Sequence, residues 1–210
     1  KAKARFEGYA KKGLERKTIK PEQVDKILGN IVYTTDYGQL KNCELVIEAA
    51  TENLDLKKKI LTQIESVVAK DAIITSNTSG ILAHQIFSHL NHPERTTNTH
   101  FFEPAWRSMG VEVINWEKTN PETVNWLLWF FAQAGKAPIA AQDAFSFVLN
   151  RLFETWGSET AWMLPKATSK EIDFISEEFL GAGPFGIMTN PLTYSSMMRR
   201  TAEGDCYTPS

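Results

Sequence analysis

Among the residues of this chain, His100 and Glu112 are the pair best suited to move a proton. An imidazole in Thr97-Asn-Thr-His-Phe-Phe-Glu-Pro104 is followed twelve positions later by a carboxylate in Val111-Glu-Val-Ile-Asn-Trp116. Histidine titrates at about 6.5 when unperturbed, and a bonded carboxylate fixes its tautomer and stabilises the imidazolium formed when it accepts a proton. A single histidine beside a strand is more commonly a satisfied core or surface residue, so the pair gains meaning only from the elements around it.

Those elements alternate. Pro21 opens a helix that Gly29 and Asn30 stop, and Ile31 to Thr35 reads as a strand. Leu45-Val-Ile47 reads as a strand buried on both faces, as in parallel sheets. Leu56, Ile60, Ile64, Val67 and Val68 recur at helical spacing, predicting an amphipathic crossover helix. Ala72 to Thr75 is the next strand, Ile81 to Leu90 a helix, and Thr96 to Phe102 the strand that delivers His100. After Val111 to Trp116, Asn120-Pro-Glu starts an apolar helix that runs to Gly135, and Ala137 to Ala141 is a last strand. From Asp143 the pattern is helical: Phe145, Val148, Leu149, Leu152, Phe153 and Trp156 stripe a long helix, and Thr168 with Glu171 forms a capping box.

The expected fold class is α/β, a doubly wound, mainly parallel Rossmann-type sheet over 1–142 followed by an all-α domain over 143–210. Ligands of such sheets bind beyond the carboxyl ends of the strands. Glu52, Asn77 and His100 all fall at or just past such ends, which groups them into one candidate site.

Composition narrows the classes. A formal net charge of −2 over 210 residues disfavours a general nucleic-acid binder, which needs excess Lys and Arg to neutralise phosphates. The longest apolar stretch, Trp126 to Ala132, is far short of the roughly 20 residues that span a bilayer. Cys43 and Cys206 lack metal-ligand spacing and predict a reducing compartment, cytoplasmic or mitochondrial, and no metal. Eight Lys or Arg against two Glu in the first twenty residues, with Phe6, Tyr9 and Leu14 as an apolar stripe, read as a solvated helix face that a phosphate-rich ligand such as CoA could also use. Trp126, Trp129, Trp156 and Trp162 fit helix packing. Trp106 lies between the members of the proton-moving pair, where it could line a pocket or the core.

Taken in order, Glu44-Leu-Val-Ile-Glu-Ala-Ala-Thr-Glu-Asn53, Ala72-Ile-Ile-Thr-Ser-Asn-Thr-Ser79, His100-Phe-Phe and Phe147-Val-Leu-Asn-Arg-Leu152 resemble the L-3-hydroxyacyl-CoA dehydrogenase family, from about Lys1 to Pro191. The resemblance implies NAD-dependent oxidation of the 3-hydroxyl of an (S)-3-hydroxyacyl-CoA. His100 would be the base and Glu112 its orienting partner. Ser79 and Asn150 match substrate-binding positions. Ala49, Ala50, Glu52, Lys57, Asn77 and Ser79 match positions that contact the nicotinamide half of NAD. Ordinary strand-end or helix-cap roles stay open for each of these, and Lys57 could be a solvated helix residue. A homodimer, or a part of a larger β-oxidation polypeptide, is the implied assembly.

A dinucleotide site opens with a strand, a Gly-x-Gly-x-x-Gly turn and a helix, with an acidic ribose ligand beyond. No such unit is evident, so the sequence is expected to begin inside a longer polypeptide, with Leu45 to Ile47 left at a sheet edge. The end, Glu203 to Ser210, also stops early for the family. Glu103 replaces the family's usual Asn. Asp143-Ala-Phe-Ser-Phe147 replaces Asp-x-Pro-Gly-Phe, so Phe145 and Trp106 motivate a bulkier acyl group. Two other readings share these residues: a sugar-acid dehydrogenase of the same fold, and a non-catalytic binding or assembly subunit.

Overall fold

The computed structural model describes residues 2–103 and 105–188; Cys206 and the stretch from Glu203 to Ser210 lie outside the described residues. Two compact units are formed, Lys1–Asn42 and Cys43–Ser210. In the first, the stripe containing Phe6 and Tyr9 forms helix α1 (Ala2–Glu15), with the two rings meeting edge-on at 6.5 Å. Pro21 opens α2 (Pro21–Gly29) and Asn30 caps it. The strand expected over Ile31 to Thr35 does not form. β-branched residues favour a strand only where a neighbour takes up their backbone groups, and this unit has no strand among its described residues.

The second unit is built on five strands, β1 (Leu45–Glu48), β2 (Ile73–Ser76), β3 (Thr96–Phe101), β4 (Gly110–Asn115) and β5 (Ala137–Gln142), adjacent in that order. Pairing is parallel from β1 to β3 and between β4 and β5, and antiparallel only between β3 and β4. Parallel neighbours need a crossover, usually helical. These are α3 (Leu54–Glu65), α4 (Ala83–Phe87) and α5 (Pro121–Gln133). The fold is therefore the expected Rossmann-like α/β class, with a mixed but mainly parallel sheet.

Position in the sheet corrects one expectation. β1 is at an edge, and Ile47, read as buried, is 39% exposed, whereas Val46 and Glu48 are buried. Successive side chains on a strand take opposite faces, so the covered face of β1 carries a valine and a carboxylate. β4, paired on both sides, buries Val111, Glu112, Val113 and Ile114 completely. Val111 and Val113 join Val124, Leu127 and Phe131 of α5 in one core. On β4's other side, Trp116, just past its end, stacks on Phe87 of α4 at 6.4 Å.

β3 is polar and yet buried from Thr96 to Thr99. Threonine's branched Cβ suits a strand, and its hydroxyls find partners: Thr75 and Thr99 bond at 2.8 Å, and Thr97 donates to the Ile114 carbonyl. Trp116 Nε1 and Thr119 Oγ1 each donate to the Thr96 carbonyl at 2.8 Å. An orphaned buried polar group would cost about 1–3 kcal/mol.

Beyond β5 come α6 (Leu149–Ala161), α7 (Ser169–Leu180) and α8 (Pro184–Met188). Asn120 caps α5 through Glu122 N, and Thr168 with Glu171 boxes α7, as predicted. The stripe that starts at Phe145 becomes helical only at Leu149, because Ser146 and Phe147 are left-handed, φ 64° and 49°. The helix expected over Ile81 to Leu90 shrinks to α4, since Leu82 is extended. Trp129 and Trp162, expected in helix packing, are largely exposed, as is Trp106 at 67%; Trp126 does stack, on Phe130 at 5.0 Å.

Candidate active site

The hairpin of β3 and β4 explains the twelve-residue interval, because His100 and Glu112 are directly opposed in its register. Opposed residues of an antiparallel pair share a face with Cβ atoms about 4.5–5.5 Å apart. The side chains close that gap: His100 Nδ1 and Glu112 Oε2 are 2.7 Å apart and both side chains are buried. A carboxylate can only accept, so Nδ1 bears the proton and donates it. In a neutral imidazole Nε2 is then an acceptor, and it lies 3.1 Å from Ser79 Oγ. Phe102 and Phe147 pack against the imidazole at 4.7 and 5.5 Å between ring centroids.

The second oxygen of Glu112 is also committed. Oε1 accepts from Val148 N at 2.8 Å and Leu149 N at 3.0 Å, the opening amides of α6. Such amides have no partner inside the helix and favour an anion. The left-handed Ser146 and Phe147 bring the chain to this point; for L-residues that conformation costs roughly 1–2 kcal/mol each. The sequence carries little sign of this link. Its one trace is that Ser146 occupies the glycine position of the family's Asp-x-Pro-Gly-Phe, where a left-handed backbone would be free of strain.

At the ends of β1 and β2 lies a second buried cluster. Lys57, only 1% exposed, places Nζ 2.7 Å from Glu48 Oε2, 3.2 Å from Ser76 Oγ and 3.6 Å from Glu52 Oε2, which overturns the solvated alternative for this residue. Ser76 Oγ donates to Glu48 Oε2 at 2.6 Å and Ala50 N to Glu48 Oε1 at 2.6 Å. Burial alone would push the Glu48 pKa up, but the bonds from Lys57, Ser76 and Ala50 N, with the lysine charge, hold it below the ordinary value of 4.5.

Glu52 joins the two clusters. Its Oε1 accepts from Thr78 Oγ1 and Ser79 N, each at 2.9 Å, so the same carboxylate meets Lys57 and fixes the backbone that carries the Ser79 hydroxyl. Asn77 Oδ1 accepts from Phe101 N at 3.0 Å, one residue after His100. Ala49 and Ala50 are exposed just past β1, and Glu103 is exposed in the loop after β3. Asn150 is the second residue of α6 and half-buried; among the described residues no hydrogen bond ties it to His100 or Ser79. No cluster of His, Cys, Asp or Glu fit to hold a metal occurs among the described residues.

One further feature leaves no mark in the sequence. His84 Nδ1 lies 2.8 Å from Asp143 Oδ2, a second imidazole–carboxylate pair, and Asp143 also accepts from Ala83 N and His84 N at the start of α4. Gly181-Ala-Gly-Pro-Phe-Gly186 does spell the dinucleotide-turn pattern. It follows helix α7, not a strand: Gly181 is the left-handed cap of that helix. A Cβ on Gly183 would fall 2.7 Å from Asp173 Cγ. The Phe185 and Gly186 amides already donate to Asp173 at 2.8 Å each, so a carboxylate takes the place a pyrophosphate would need.

Residues 1–144 match the family model of the 3-hydroxyacyl-CoA dehydrogenase NAD binding domain. The fatty acid oxidation complex subunit alpha of Idiomarina loihiensis is 34% identical over 188 residues, covering 90% of this chain and 26% of that protein. The subunit of the same name from Shewanella amazonensis is 32% identical, again over 26% of its length. This chain thus spans about a quarter of these curated relatives. Among solved structures, 3-hydroxybutyryl-CoA dehydrogenase from Escherichia coli K12 superposes with TM-score 0.89 at 26% identity, over 100% of this chain and 46% of that one. An (S)-3-hydroxybutyryl-CoA dehydrogenase from Ralstonia eutropha does so with TM-score 0.84 at 30% identity, over 94% and 73%.

Proposed function

The chain belongs to the 3-hydroxyacyl-CoA dehydrogenase family, and we propose that it serves the NAD-dependent oxidation of an (S)-3-hydroxyacyl-CoA to the 3-oxoacyl-CoA, with His100 and Glu112 as its acid–base pair. The observation that carries this reading is the 2.7 Å bond from His100 Nδ1 to Glu112 Oε2, which leaves Nε2 to receive a proton beside the Ser79 hydroxyl.

In this mechanism Nε2 takes the proton of the substrate's 3-hydroxyl, and Glu112 stabilises the imidazolium that results. Ser79 Oγ, 3.1 Å from Nε2, bonds the same oxygen, while Asn150 at the start of α6 holds the thioester region. NAD, when bound, supplies the hydride acceptor. Ala49, Ala50, Glu52, Asn77 and Ser79 would contact its nicotinamide half, while the buried Lys57 would act on it only through Glu52. The fit is supported by the small, exposed Ala49 and Ala50 past the end of β1, which leave room for a planar ring, and by the polar edge formed by Glu52 and Ser79. Loss of the base in reactions of this type costs roughly 10²- to 10⁴-fold.

The relatives' membership of fatty acid oxidation complexes supports placing the reaction in acyl-CoA β-oxidation within a cytoplasmic or other reducing compartment. No helix among the described residues is long and apolar enough to cross a membrane. We take 143–210 as a substrate and dimerisation domain, whose described residues carry α6, α7 and α8. Trp106, exposed between β3 and β4, and Phe145 favour a bulky acyl group; turnover confined to short linear acyl-CoAs would overturn that part.

The direct test supplies the full-length protein with NAD and (S)-3-hydroxybutyryl-CoA, a longer or ring-bearing 3-hydroxyacyl-CoA, or free hydroxy acids. NADH formation only with the thioesters is expected. Oxidation of free sugar acids instead, or no binding of NADH, would overturn the reading.

A further inference from the structure

We propose that the bent segment Ser146–Leu149 is a positioning device for the His100–Glu112 pair, an anion-binding turn whose occupant is the catalytic carboxylate itself. Its consequence for turnover rests on the dehydrogenase reading; its geometry does not.

Phe147 is left-handed, φ 49°, and Val148 right-handed, φ −102° and ψ −53°. A left-handed residue followed by a right-handed one turns successive N–H groups toward one point, and such concavities hold anions. Here the point is Glu112 Oε1, which accepts from Val148 N at 2.8 Å and Leu149 N at 3.0 Å. Positive φ at a bulky residue is uncommon, and it persists where the surroundings over-determine it. Two surroundings do so. Val148 gives α6 no side-chain cap, so a carboxylate 36 positions away supplies one. Phe147 is buried with its ring 5.5 Å from the imidazole, a placement the bend makes possible.

A carboxylate held on the hairpin alone could rotate about its side-chain torsions. Held at Oε1 by two amides and at Oε2 by Nδ1, it cannot turn without breaking three bonds. The imidazole is thereby aimed, with Nε2 toward Ser79. The same bonds fix the backbone immediately before Asn150, so one carboxylate sets both the proton acceptor and the thioester ligand. A plain helix cap would secure α6 without affecting turnover, and this is the distinction to be measured.

Two substitutions separate backbone from side chain in the full-length protein. Phe147→Val puts a β-branched residue where φ is positive and opens the turn. Phe147→Gly removes more of the side chain but adopts the turn freely. With NAD and (S)-3-hydroxybutyryl-CoA, Phe147→Val is expected to lower kcat by about 10- to 100-fold with KM for NAD nearly unchanged, since misplacement of roughly 1 Å can cost 10²-fold. Phe147→Gly is expected to recover most of that loss. Full activity of Phe147→Val, or a glycine variant no better than the valine one, would overturn the proposal.

A second measurement does not use turnover. Amide hydrogen exchange at Val148 and Leu149 should accelerate at least about tenfold in Glu112→Ala while the amides in the middle of α6 stay as they are. Unchanged exchange at both positions would sink the turn even in an active enzyme. Absence of hydroxyacyl-CoA turnover in the unsubstituted protein would instead overturn the functional reading and leave the exchange result to decide the geometry.

Discussion

His100–Glu112 and His84–Asp143 are the same pair of groups used twice. In each, Nδ1 meets a carboxylate, at 2.7 and 2.8 Å, and in each the carboxylate also accepts from two consecutive amides at a helix start. They differ in what surrounds the imidazole. The His100 side chain is 4% exposed, the His84 side chain 48%. His100 is placed by strand register, and its second nitrogen faces a serine at the carboxyl end of the parallel strands; His84 stands on a five-residue helix. An imidazole–carboxylate bond is therefore not a site by itself. Burial and a hydroxyl at Nε2 set one of them apart, and the other lies at the start of α4.

The contrast is broken most sharply by removing the imidazoles in turn. His100→Gln, whose amide can still bond Glu112, is expected to lower kcat by roughly 10²- to 10⁴-fold with NADH binding retained in a fluorescence titration. His84→Gln should leave kcat within about twofold; a comparable loss there would show that the exposed pair also acts in turnover.

The buried carboxylate–lysine pair gives the next largest effect. Glu48→Gln leaves the Lys57 ammonium buried without its closest anion, and breaking a buried pair costs about 3–5 kcal/mol, to be read from urea unfolding. The sign of the pH dependence follows from the lowered Glu48 pKa. Its contribution is fully present above the unfolded value of 4.5 and is lost as pH falls through the lower folded value. The stability gap between the native protein and Glu48→Gln should thus close on acidification; a gap that widened below pH 4.5 would refute the assignment.

Smaller effects test the helix starts. Asp143→Asn weakens the bonds to Ala83 N and His84 N and should cost about 1 kcal/mol in thermal unfolding. Ser146→Gly relieves a left-handed residue, φ 64°, and should stabilise by up to about 1 kcal/mol, less the value of the 3.5 Å contact from Ser146 Oγ to Glu154. Destabilisation by Ser146→Gly would mean that the serine contact outweighs the strain.

Much of this was legible in the chain. The alternation of strands and helices, the caps at Asn120 and Thr168, and the opposition of His100 and Glu112 depend on local pattern and on the resemblance of short segments. The failures share one cause. Ile31 to Thr35 has strand propensity but no neighbouring strand, and Ile47 reads as core but lies on the open face of an edge. For Lys57, matched to a cofactor-contacting position, the alternative of a solvated helix residue is excluded, because Glu48 and Ser76 from two strands enclose it.

The α/β class could be read from the order of residues alone, as could an imidazole and a carboxylate whose spacing a hairpin could bring together. Folding alone sets Glu112 against the start of α6, Asp143 against α4 and Gly181 to Gly186 around Asp173. The first two contacts join residues 36 and 59 positions apart. No local propensity encodes them; they exist because packing the sheet against its helices leaves polar groups buried, and each must find whatever partner the fold brings within reach.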